Sequence, residues 1–138
     1  FERFFGFARP WSPDDNLIME NVKAPKIVFE FSPHKDVSID GGYSWFWLAS
    51  DTDRFNNLFN VATRNTLNRD PTGQSGDFLG QSINTRIRYK LTPHVDTTVG
   101  YSRWMNGAFV KNRQLAALGE YNDHSNFFYV EVSLRAFK

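Results

Sequence analysis

Three cations stand at alternate positions in one short stretch: Arg86, Arg88 and Lys90. In an extended chain, residues two apart share a face and lie roughly 7 Å apart. A row of such groups facing water selects anions in a pore. A guanidinium grips a carboxylate through two parallel hydrogen bonds, which suits a polymer of sugar acids. The plainer role is a cross-strand ladder in which Asp40, Asp96 or Glu131 neutralises the cations, and both roles can hold together. Arg135 falls on the equivalent face of a later stretch, with Glu131 on the same face. Phe46, Trp104 and Tyr129 share that face, and Phe46 and Trp104 are candidates for stacking on sugar rings.

Little else in the chain reads as chemistry. His34, His94 and His124 lie in turns or loops without metal-ligand spacing. Asp14, Asp15, Asp51, Asp53 and Asp123 are loop carboxylates, but the EF-hand calcium pattern is missing. No Ser-His-Asp set, catalytic carboxylate pair or phosphate loop stands out, so no enzyme and no cofactor is expected. With 0 Cys, disulfides, thiolate metal sites and cysteine nucleophiles are excluded. A net charge of +1 argues against a general nucleic-acid binder.

The elements that must carry these residues follow a period of two. Val37, Ile39, Gly41, Tyr43, Trp45, Trp47 and Ala49 form one face, against Ser38, Asp40, Gly42, Ser44, Phe46 and Leu48. The same alternation runs through 79–91, 95–105 and 127–137, and more briefly through 26–32. Five strands are predicted, the longer ones about 36–43 Å long at roughly 3.3 Å per residue. Tilted by about 45°, such strands span some 25–30 Å, the height of a bilayer core. Tight turns at 32–36 and 92–94 share a Pro-His pair, whereas 1–24, 50–78 and 106–125 read as long loops. Short turns on one side and long loops on the other are the rule in outer-membrane barrels. Within the loops, 53–66 and 113–121 have some helical propensity.

Aromatics make up 17% of the chain although its mean hydropathy is polar, −0.49. A barrel wall reconciles the two, because every second residue faces the lumen. Tyr43, Trp45, Trp47 and Tyr101 would then face lipid near the long-loop end, and Tyr89 near the turn end, as interface girdles. Arg103 is the odd charge in a lipid-facing phase, placed late enough in its strand to reach headgroups.

Several stretches resemble the alginate-export family of outer-membrane barrels. They are Phe78-Leu79-Gly80-Gln81 with the strand that follows, and Gly100-Tyr101-Ser102 leading through Gly107-Ala108-Phe109-Val110-Lys111 into a loop. Tyr43-Ser44-Trp45-Phe46-Trp47-Leu48-Ala49 and the closing 127–135 strand resemble it too. The likeness covers most of 26–138. It implies a large antiparallel barrel in the cell outer membrane, with a basic lumen passing a polyuronate. Arg103-Trp104-Met105-Asn106 departs from the pair common after the family's Gly-Tyr-Ser.

The expectation is therefore an all-β chain, residues 1–138 as a single partial domain. It is an antiparallel up-and-down meander of about five long strands from the C-terminal part of a transmembrane barrel. Its expected partners are an anionic polysaccharide, outer-membrane lipids and periplasmic export components, with no nucleic acid. The competing readings are a soluble β-barrel around a small apolar ligand, a general porin, or an outer-membrane barrel enzyme.

Overall fold

A computed structural model describes residues 21–54 and 68–135. The elements are β1 (Val22–Lys23), β2 (Lys26–His34), β3 (Val37–Leu48), β4 (Phe78–Thr92), β5 (Val95–Asn106), α1 (Ala108–Leu118) and β6 (His124–Leu134). They form one antiparallel sheet in which β1 and β2 both pair with β3, followed by β4, β5 and β6. The predicted meander is thus present, and within the described residues the sheet stays open.

β1 and β2 amount to one long strand. Val22 pairs with Leu48 and Lys26 with Ser44, which is the same register carried across the break. The interruption falls at Pro25, whose missing N–H removes one ladder bond. Its carbonyl still accepts from Trp45 N at 3.1 Å. The first strand therefore extends four residues further toward the long-loop end than the sequence pattern suggests. Those residues include the end of the stretch expected as loop 1–24; residues 1–20 lie outside the description.

Both tight turns use the same device. The β2–β3 register shifts between Phe31 and His34, and the β4–β5 register between Lys90 and Thr92. After each bulge the chain turns through a pair of residues, Lys35-Asp36 or Pro93-His94. Bulges add twist where a hairpin must close tightly. A further bulge sits between Phe46 and Trp47, beside Gly80, which adopts φ 147.

Register sorts the side chains into two faces. One carries Ile27, Phe29, Phe31, Ile83, Ile87, Tyr89, Leu91, Phe128, Val130, Val132 and Leu134, all exposed. Phe128 is 63% and Leu134 77% exposed. These residues come from β2, β4 and β6, and so broad an apolar surface far exceeds what monomeric soluble proteins leave uncovered. The opposite face changes character along its length. It is charged toward the turns, small and polar in the middle, and apolar toward the long loops.

Gly100 marks the middle of that second face. It lies between Arg86 and Tyr129 in register, and the Tyr129 ring lies across it, where a Cβ would collide. Gly100→Ala is expected to displace the ring and destabilise the fold by about 1–3 kcal/mol, as overpacking does. Combining it with Tyr129→Ser should recover most of the loss in a thermal unfolding assay.

Candidate functional site: a charged sheet face capped by a helix

The charged layer is positioned by the β3–β4 and β4–β5 ladders. Asp40 pairs in register with Arg86, which places both side chains on one face. Arg86 holds Asp40 with two prongs: Nε at 3.1 Å from each carboxylate oxygen and Nη2 at 2.9 Å from Oδ2. Arg88 Nη2 adds a bond to Oδ1 at 3.1 Å. Two guanidiniums thus share one carboxylate, and the group keeps net positive charge. Both Arg side chains stay accessible, 44% and 47% exposed. Ion pairs this open to water add little stability.

Lys90 lies opposite Asp96 in register, but Asp96 binds Arg135 from the chain beyond β6. Among the described residues Lys90 makes no ion pair. An open groove of about 510 Å³ runs along this turn end, with Arg88, Lys90, Asp96, Arg135, Lys35 and Glu30 in its lining. Arg86, Arg88, Lys90 and Arg135, picked out as candidate binding cations, therefore fall on one face. Asp40 was only one of three carboxylates that could have paired with them, and the register selects it for both arginines.

The middle layer is Ser44, Ser82, Asn84 and Ser102, all buried. Ser44 Oγ and Asn84 Oδ1 have no hydrogen-bond partner among the described residues. Alternation shows these positions as polar but does not show that they are covered.

At the long-loop end the same face carries Phe46, Leu48, Leu79 and Trp104. α1 folds back over them and inserts Phe109, which is 0% exposed. Phe46 and Trp104 are left 1% and 6% exposed, with ring centroids 5.0 Å apart. This corrects the expected stacking role. The rings face the expected side, but Phe109 covers them, and they serve as the docking surface of a helix. Tyr129 keeps its place on the face, tilted against Phe127 at 5.8 Å.

The helix differs from the 113–121 expectation. It begins five residues earlier, directly after Gly107, and stops at Gly119, whose φ of 78 ends it in a left-handed cap. No side chain caps its start, so its first turn left no signal in the sequence. Tertiary ties hold it instead. Gly107 N donates to Leu79 O at 2.8 Å, and Asn112 Nδ2 to Ser75 O at 3.1 Å. Lys111 Nζ lies 2.5 Å from Asp123 Oδ1 and 5.3 Å from the Tyr121 ring centre. That hydrogen bond raises the Lys111 pKa and lowers that of Asp123. The tie is therefore complete at neutral pH. It weakens only as acid protonates Asp123 below its ordinary range or base strips Lys111 above its own. The other helix expectation, 53–66, lies almost wholly outside the described residues.

The loop before β4 is organised around a single carboxylate. Asp70 Oδ1 accepts from Thr72 N at 2.9 Å and Thr72 Oγ1 at 2.5 Å. Asp70 Oδ2 accepts from Ser75 N at 2.8 Å and Ser75 Oγ at 2.5 Å. These bonds, that from the Ser75 hydroxyl first, hold the carboxyl well below the usual range. Their stabilisation is full above the ordinary carboxylate pKa and drains as pH falls through the depressed folded value. Protection of the 70–77 amides relative to their intrinsic exchange should therefore hold from pH 7 to about 4 and fall only in stronger acid. Asp70→Asn loses acceptor capacity and charge, and should lower that protection roughly tenfold at neutral pH. No feature of the sequence alone singled out this residue.

The expected girdle aromatics lie on the apolar face. Tyr43 and Trp45 pack with centroids 4.6 Å apart, and Trp47 meets Phe78 at 5.4 Å, all toward the long loops. Tyr101 Oη donates to Asn126 Oδ1 at 2.8 Å, and Tyr89 is exposed near the turns.

A two-faced antiparallel sheet with tight turns at one end and long loops at the other narrows the choice of family. The family model for alginate export matches residues 1–123. The chain belongs to the alginate export family. The match takes in β1 to β5 and α1 and stops just before β6, which is placed here by its register with β5. No curated protein and no solved structure matches the chain. The family description is of export, a transport role, and no helix among the described residues is long and apolar enough to cross a membrane.

Proposed function

We propose that this chain forms part of the wall of an outer-membrane β-barrel that exports an anionic polysaccharide such as alginate. The observation that carries the reading is the sheet's two-sidedness. One face is apolar and uncovered over strands long enough to span a bilayer. The other presents Arg88, Lys90 and Arg135 to an open groove, with Arg86 beside Arg88 on the same face. A soluble barrel would bury the first face, whereas here Phe31, Phe128 and Leu134 are exposed. In this reading the apolar face meets outer-membrane lipid, with Tyr43, Trp45, Trp47, Tyr101 and Tyr89 at the headgroup levels. The charged face lines the lumen, and further strands pair the two open edges. The tight turns face the periplasm, where export components would hand over the polymer, and the long loops face outward.

Asp40 tempers the arginines without neutralising both. A fully paired row would not attract a polyanion, and a fully unpaired one would hold it too tightly to pass. Reconstituted in planar bilayers, the full-length protein should form channels that prefer chloride to potassium and are blocked by added polyuronate. Cation-preferring channels indifferent to polyuronate would contradict the reading.

A further inference from the structure

We propose that Arg103 and Asn126 form a binding point for a lipid phosphate on the outside of the sheet. The proposal rests on the reading that the apolar face meets lipid. Among the described residues, Arg103 and Lys23 are the charged side chains on that face; Lys23 lies at the far long-loop end of the first strand opposite Trp47, and Arg103 stands within the sheet. Ile83 and Asn126 flank it in register, and Tyr101 and Met105 precede and follow it along the same face. It makes no hydrogen bond or ion pair there, and its Nε is buried without a partner. A half-buried guanidinium with no acceptor is costly unless something outside the chain supplies one.

Asn126 sharpens what that something is. Its Oδ1 is taken by the Tyr101 hydroxyl at 2.8 Å, so its amide NH2 is the group left to donate. That NH2 has no acceptor among the described residues. A guanidinium and an amide donor thus stand side by side with no oxygen to receive them. Together they suit an anion with several oxygens. The site lies toward the long-loop end, where Tyr43 and Trp45 occupy the same face at headgroup level. At that depth the anionic oxygens on offer are lipid phosphates, and the long arginine stem can carry its head to them.

The test uses the full-length protein in non-ionic detergent, with native mass spectrometry to count bound lipid. Phosphatidic acid is the probe, and diacylglycerol is the control with the same tails but no phosphate. The native protein should retain phosphatidic acid about fivefold better than diacylglycerol, a difference near 1 kcal/mol. Arg103→Gln should abolish that preference, and Arg103→Lys should keep part of it. Phosphatidic acid retained equally by Arg103→Gln would overturn the proposal, as would displacement of the lipid by millimolar inorganic phosphate. If the native protein bound neither lipid nor a detergent belt, the membrane reading itself would fail. Detergent and diacylglycerol binding without phosphate preference would sink this site alone.

Discussion

Replacing Arg86 and Arg88 with glutamate is expected to reverse the ion preference of the channel. In the native protein two guanidiniums share Asp40, and the group is net positive. In the double variant all three side chains become carboxylates facing the same water. Each unit charge acts on a passing ion by about 1 kcal/mol at 4 Å even in bulk water. The chloride-to-potassium permeability ratio should therefore fall by at least about tenfold. Polyuronate block should disappear with it. Because both arginines are accessible and their pairs contribute little to stability, the barrel should still assemble. Reversal potentials measured in a salt gradient give the answer directly. An unchanged ratio in a correctly assembled variant would remove these residues from any part in selection.

The second large effect concerns the helix. α1 buries one side chain fully, Phe109, into the cluster of Phe46, Leu48, Leu79 and Trp104. Truncating a buried phenylalanine to alanine costs about 3–5 kcal/mol. An isolated helix of this length is marginal in water, so it has little of its own to fall back on. Phe109→Ala should therefore undock α1 while the sheet, held by its ladders, persists. Two readouts should move together. Protease should cut within 107–123 at low concentration, and single-channel conductance should rise as the helix leaves the lumen mouth. Phe109→Leu, which keeps most of the volume, should leave both near native levels. Undocking without any rise in conductance would place α1 outside the conducting path.

The strands were legible because alternation is a strong signal when one face is uniformly apolar. Val37–Tyr43 and Gln81–Leu91 show it residue by residue, whereas the bulge beside Gly80 turns Leu79 onto the inner face against the alternation. The continuity of β1 with β2 was hidden by Pro25, which reads as a break although the register runs through it. The arginine row was legible by spacing, but its partner was not. Alternation puts Asp40, Asp96 and Glu131 on the right face without saying which lies opposite Arg86. The register, set by the turn bulges and the pairing of whole strands, decides that. The same limit explains the misplaced role of Phe46 and Trp104. Their direction follows from parity, but their cover comes from a helix whose start at Gly107 carries no capping side chain. Apolar residues on an otherwise polar face, Phe46 and Leu48 together, were the available hint that something folds back over them.

The central claim is that this sheet is a membrane wall with one face in lipid and the other in water. The chain has 0 Cys, so single cysteines can be placed one at a time on a cysteine-free background. Positions 83–90 along β4 alternate between the two faces, and 86, 88 and 90 lie on the charged part of the inner face toward the turns. In whole membranes, a charged, membrane-impermeant thiol reagent should label positions 86, 88 and 90, and spare the covered position 84. Positions 83, 85, 87 and 89 should resist it and react with a lipid-soluble maleimide instead. Uniform labelling by the charged reagent, or reactivity without a period of two, would contradict the wall and with it the channel.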